Sequence, residues 1–291
     1  MTTAVVGARP ASMLGQLARK EIARYASHPL FLVGVALVVL TSAGQPDASD
    51  SSLGKVISPA AGLGVIGVLV MASLTRTSDQ IASAAGAVVV SERTRTLALV
   101  CALIVPFAAG LCWLGWALWA YRHWPPHANG MPFGGIGDDW AFAVLIALGL
   151  LPSLGGPILG LLVGRWVPRR GAAPLFAVLL VTETILMQGL FEPLRYIRLI
   201  VPWTQFGGPL GVPGDPERMS ILTGSPQWYC VYLVVLCALG VVLALLHDRE
   251  RPRRPLLVAL GVIVVVAAVT AVLAITTGVQ EVIINPLPSQ R

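Results

Sequence analysis

Six polar residues stand where the chain is otherwise apolar: Arg76, Asp79, Gln80, Glu92, Arg93 and Arg95, all between Thr75 and Thr96 in TRTSDQIASAAGAVVVSERTRT. Both signs of charge occur toward each end of the stretch, around a middle of small residues and valines that a helix accepts. Such side chains form charge-assisted hydrogen bonds and ion pairs. The chemistry they suit is docking, through a polar elbow that touches another protein. One further carboxylate, Glu183 in VTETILMQG, lies near the middle of an apolar run, where its charge is costly unless neutralised or paired. It reads either as a contact on a substrate or proton path, or as a protonated carboxyl hydrogen-bonded to a neighbouring helix.

The sequence offers no catalytic constellation. It has no G-x-x-x-x-G-K-[ST] cradle for nucleotide phosphates, no H-E-x-x-H and no G-x-S-x-G. His123 and His127 are four apart, but Pro125 and Pro126 break any helix that would align them, so no metal site is expected. Cys101, Cys112, Cys230 and Cys237 all lie inside apolar runs and read as small buried side chains rather than a disulfide framework. No enzyme is expected from these residues.

The elements that must carry the elbow are membrane helices. Of 291 residues, 56% are hydrophobic and 12% charged, against roughly 25% charged in soluble proteins. The net charge of +6 is spread in short clusters between apolar runs rather than gathered on one face, which argues against nucleic acid. Apolar runs fall at Pro29–Ser42, Ile57–Leu74, Leu97–Ala120, Ala141–Gly164, Ala172–Phe191, Trp228–His247 and Pro255–Ile275. A hydrocarbon core of about 30 Å needs roughly 20 helical residues. The first run must therefore borrow polar flanks, and the second only just spans.

The fold class expected is an all-α bundle of six to seven transmembrane helices with an N-terminal interfacial amphipathic helix. Residues 1–28 form a cytosolic tail and that helix, 29–276 the transmembrane domain and 277–291 an outer tail. The segment Ala11–Tyr25 places Leu14, Leu17 and Ile22 on one side and Arg19, Lys20, Glu21 and Arg24 largely on another. It lies in the interface or extends the first span straight into the cytosol. With the N-terminus inside, fourteen Lys and Arg fall on inner segments and six on outer ones, the positive-inside bias. Trp113, Trp116 and Trp119 recur at helical spacing and read as an interfacial belt in preference to a helix–helix seam. The fourth run, LLPSLGGPILGLLVG, is expected to be bent and packed inside the bundle. In the outer loop 192–227, EPLRYIRLIVPWTQFGG suits an amphipathic or re-entrant piece, and LGVPGDPERM reads as loop.

The order of these parts resembles the ABC-2 type permeases, membrane subunits of ABC transporters whose ATPase is a separate chain. LARKEIARYASHPLFLVGVAL is similar to that family's connecting helix and first span. RTSDQIASAAGAVVVSERTRTLALVCALIVPFAAG is similar to the coupling-helix region of actinobacterial members. Where the family has Gly-Thr-Leu this chain has Arg95-Thr96-Leu97, and its seventh run exceeds the usual six. The resemblance implies a plasma-membrane exporter subunit with an elbow in loop 75–96, around Arg76 to Gly86, docked on a cytosolic ABC ATPase. It implies Arg76, Asp79, Gln80, Glu92, Arg93 and Arg95 in coupling, and ATP and Mg on the partner subunit. A second copy or a similar permease would complete the assembly among membrane lipids. A non-transporting scaffold or sensor subunit and an ion-coupled secondary transporter are the alternative readings.

Overall fold

The computed structural model describes residues 10–43, 56–84, 90–123, 138–189, 197–204, 206–212, 215–248, 252–281 and 283–285. The apolar runs are helical. Helix α1 (Pro10–Ala26) turns through 54° into α2 (Pro29–Ser42). The break is local chemistry: His28 is extended, its Nδ1 accepts from the Leu30 N–H at 3.3 Å, and Pro29 opens α2. The bend fits an interfacial α1 and equally a first span broken at His28-Pro29, the two sequence-based readings of this segment.

The second span is α3 (Ile57–Pro59), a π-helical stretch (Ala60–Val65) and α4 (Ile66–Ala84). The third is α5 (Glu92–Ala102) and α6 (Ile104–His123), offset at Leu103, where Pro106 removes the N–H that would bond back to Ala102. The fourth is α7 (Asp138–Leu145), a second π stretch (Ile146–Leu150) and α8 (Pro152–Trp166). Here the cause is Pro152, which has no N–H to give the ladder. The Leu151 N–H reaches back five residues to the Ile146 carbonyl at 2.9 Å, and the turn widens. Helices α9 (Ala172–Gly189), α10 (Pro226–Leu245) and α11 (Arg254–Thr276) follow.

Among the described residues, five helical stretches are long and apolar enough to cross a bilayer: Ile57–Ser83, Glu92–His123, Asp138–Trp166, Pro226–Leu245 and Arg254–Thr276. The bent α1–α2 pair makes a sixth if it counts as one span, and Ala172–Met187 is apolar but shorter. The chain is a multi-pass helical membrane protein. Helix α8 is its buried centre, as its glycines and prolines suggested. A methyl at Gly156 would collide with the Gly64 carbonyl, and one at Gly160 with the Val68 carbonyl. Backbones meet along this face because no side chains hold them apart.

The end of the bundle between α9 and α10 carries a small sheet. Strands β1 (Gly207–Val212), β2 (Asp215–Ile221) and β3 (Ile283–Asn285) are antiparallel in the order β1-β2-β3. This corrects the loop assigned to LGVPGDPERM. Val212 pairs with Asp215, so residues on both sides of the expected loop chemistry are strand. It also places part of the C-terminal tail in a sheet.

Residues 197–204 and Phe206 fold onto the helices beneath. The Tyr229 hydroxyl donates to the Val201 carbonyl at 2.5 Å and accepts from the Thr204 N–H at 3.1 Å, while Tyr232 donates to the Ile200 carbonyl at 2.7 Å. Arg198 is buried, donating to the Thr223 carbonyl, with its guanidinium 5.6 Å from the Phe206 ring. Trp203, at a positive φ of 66°, pushes its indole against Gly64.

Two readings of side chains change. Trp113 is buried in a helix–helix seam, its Nε1 donating to Ser42 Oγ at 3.2 Å, whereas Trp119 faces outward. The three tryptophans thus do not act as one belt: a spacing of three residues rotates by about 300° per step on a 3.6-residue helix, so positions drift around its circumference. The four cysteines are free thiols, but Cys101 and Cys112 are exposed on the protein surface rather than buried. An apolar run faces lipid as readily as protein.

Candidate functional site

The polar elbow is mostly helix. Helix α4 continues through Arg76, Asp79 and Gln80 to Ala84, and α5 begins at Glu92; Gly86, assigned to the docking elbow, lies outside the described residues. Ser91 starts α5 as its N-cap, with Oγ accepting from the Thr94 N–H at 3.3 Å. Asp248, just past α10, accepts from the Arg93 N–H at 3.2 Å. The first turn of α5 thus gains two acceptors for N–H groups that have no partner within the helix, with Glu92 adding favourable negative charge.

Packing brings these residues to one point. The α4–α8 contact ends where Gly164 meets Thr75, and one turn farther along α4 Arg165 meets Asp79. Asp79 Oδ1 accepts from Arg165 Nη1 at 2.5 Å and from Arg95 Nη1 at 2.9 Å. Arg95 Nη1 also donates to the Ser78 carbonyl at 3.3 Å. Glu92 Oε1 pairs with His247 Nδ1 and lies 3.9 Å from Arg165 Nη1. The His247 ring is set edge-on to Trp166, centroids 5.2 Å apart, and the Trp166 Nε1 donates to the Leu243 carbonyl at 3.3 Å.

Ends of α4, α5, α8 and α10 are therefore clasped by one network. The Arg165 side chain is 2% exposed and that of Asp79 40% exposed, so a buried cation is met by a partly hydrated anion. Screening weakens the attraction on the Asp79 side, while the burial penalty of Arg165 stays. Among the described residues, no hydrogen-bond partner meets the buried Nε and Nη2 of Arg76, the Nε of Arg95 or the Nε and Nη2 of Arg165. The cluster has more donors than its carboxylates use.

Of the six elbow residues, the structure joins Asp79, Glu92 and Arg95 through their side chains and Arg93 through its backbone N–H. Arg76 stands one turn before Asp79 on α4, and Gln80 is exposed. Sequence reasoning missed Arg165, His247 and Asp248 as members. Their signal was present: each lies at or just past the end of an apolar run at the same end of the bundle, but which run-ends meet is a matter of packing.

Glu183 stands apart from this cluster. It is half-buried on α9, eleven residues from that helix's first residue, or about 17 Å along the axis. The apolar cleft beside it, about 180 Å³, takes Val181, Thr184 and Ile185 from α9 with Val65 and Trp203 opposite, and does not take Glu183. A second apolar cleft of about 170 Å³ lies across Trp203, among Leu159, Leu180, Leu233 and Cys237. No group of three or more His, Cys, Asp or Glu side chains among the described residues is placed to hold a metal ion. No protein-family model, curated protein or solved structure significantly matches this chain.

Proposed function

We propose that this chain is the membrane-spanning permease subunit of an ATP-driven ABC exporter of the ABC-2 type. A separate cytosolic ATPase would bind at the α4–α5 elbow in the plasma membrane, with the N-terminus cytosolic. The observation that carries the reading is the junction of Asp79, Glu92 and Arg95 with Arg165 and His247. A push delivered to the turn between α4 and α5 reaches the ends of α8 and α10 through ion pairs rather than through the chain. That is the linkage a permease without a nucleotide site of its own needs. The substrate would move between two copies, or between this chain and a similar one, as the helices tilt about their π stretches. The bent pair and α9 then complete six or seven spans.

The test is purification of the tagged chain from native membranes in mild detergent, with ATPase activity and co-eluting subunits measured. An ATPase recovered with wild type and lost when Arg76–Gly86 is replaced by a Gly/Ser linker supports the reading. Under the same reading, Glu92→Lys reverses the charge facing Arg165 and His247 and uncouples hydrolysis from transport without loss of membrane insertion. Absence of any ATPase under conditions that preserve other membrane complexes favours a scaffold or sensor subunit. The apolar lining of both clefts beside Trp203 supports that second reading.

A further inference from the structure

A cleft of about 220 Å³ opens between α1, α4 and α5, on the other side of Arg95 from Asp79's neighbour α8. Its charged wall is Lys20, Glu21 and Arg24 from α1 with Arg95 from α5. Glu21 is already engaged: Arg24 Nη1 reaches its two oxygens at 2.8 and 2.9 Å. That leaves Lys20 and the partly exposed side chain of Arg95, whose Nη1 also holds Asp79, as the cations of a space with no free carboxylate among its lining residues. The rest of the lining is largely apolar, with Leu17 from α1 and Ile81 from α4. The cleft sits where α1 bends by 54° away from the apolar α2, at the level where the spans give way to polar residues.

We propose that this cleft binds the headgroup of an anionic phospholipid. The phosphate sits between Lys20 and Arg95, and the first methylenes of an acyl chain lie along Leu17 and Ile81. Each part of the wall has its counterpart in that ligand. A guanidinium and an ammonium are strong partners for phosphate oxygens. Two apolar side chains beside two cations select a molecule with both characters. The bound lipid holds α1 against the α4–α5 elbow, and so against the ion-pair network. This site does not depend on the transport reading, since a scaffold would keep it.

Native mass spectrometry and thermal unfolding of the full chain in an uncharged detergent test it, with dioleoyl phosphatidylglycerol, dioleoyl phosphatidylcholine and inorganic phosphate as separate additions. Lys20→Glu is compared with Arg19→Glu, both exposed positions of α1, of which only the first lines the cleft. The expected result is one retained phosphatidylglycerol per chain with raised thermal stability, weakened about tenfold or more by Lys20→Glu and left nearly unchanged by Arg19→Glu. Equal loss in the two variants reports only general surface charge and overturns the site. Equal stabilisation by phosphatidylcholine overturns the anionic requirement. Stabilisation by inorganic phosphate alone, matching that by lipid, overturns the lipid as occupant.

Discussion

Arg165 and Asp79, 86 residues apart in the chain, meet at 2.5 Å because Gly164 lets α8 close on Thr75 one turn before. Removing one partner exposes the asymmetry of the pair. Asp79→Ala leaves a buried guanidinium with Glu92 at 3.9 Å as its nearest remaining carboxylate, at a cost of about 2 kcal/mol after allowance for the exposure of Asp79. In the Asp79→Ala/Arg165→Met double variant most of that loss is recovered. A double-mutant cycle by denaturant or SDS titration in detergent measures the coupling, and additive single losses would refute it.

The close α4–α8 approach predicts a steeper dependence on size at Gly160 than at Gly155. A methyl at Gly160 meets the Val68 carbonyl, while one at Gly155 meets nothing within 4 Å. Gly160→Ala is expected to lower stability by about 1–3 kcal/mol, and Gly155→Ala to be neutral or slightly stabilising. Thermal unfolding of the two variants side by side checks this.

Trp203 holds a left-handed backbone with a large side chain, a combination glycine adopts without strain. Trp203→Ala loses the packing against Gly64 and keeps the strain. Trp203→Gly loses the same packing and relieves it, so the glycine variant should be the more stable by about 1 kcal/mol. Equilibrium unfolding of both variants decides the order.

Much of the helical scaffold could be read from the residues. The runs of Val, Leu and Ile dictate helices because lipid leaves backbone groups no other partner; Pro29 opens the first run and helix α2 alike, and Pro152 lies where the fourth span was expected to bend. The glycines of LLPSLGGPILGLLVG marked the central helix. What sequence left open was rotation and adjacency. Trp113 and Trp119 have the same type and flanking chemistry, yet one is buried and the other exposed, because facing is set by which neighbour packs alongside. For the same reason Asp79, Glu92 and Arg95 were legible as polar residues in an apolar chain, while Arg165, His247 and Asp248 became their partners only once α8 and α10 lay beside the elbow.

The two widened turns, Ala60–Val65 and Ile146–Leu150, lie at the same end of the α4–α8 pair, the first of them including Gly64, where the glycine contact begins. Below them the two helices are locked backbone to backbone and clamped by charge; at them the hydrogen-bond ladder is already loosened. Mechanically the pair is a stiff crank with its compliance gathered at one level. A small rotation imposed at the Arg165 end would be taken up at that level as a change of tilt. Trp203, wedged against Gly64 within the first widened turn, is the side chain that such a change would dislodge first.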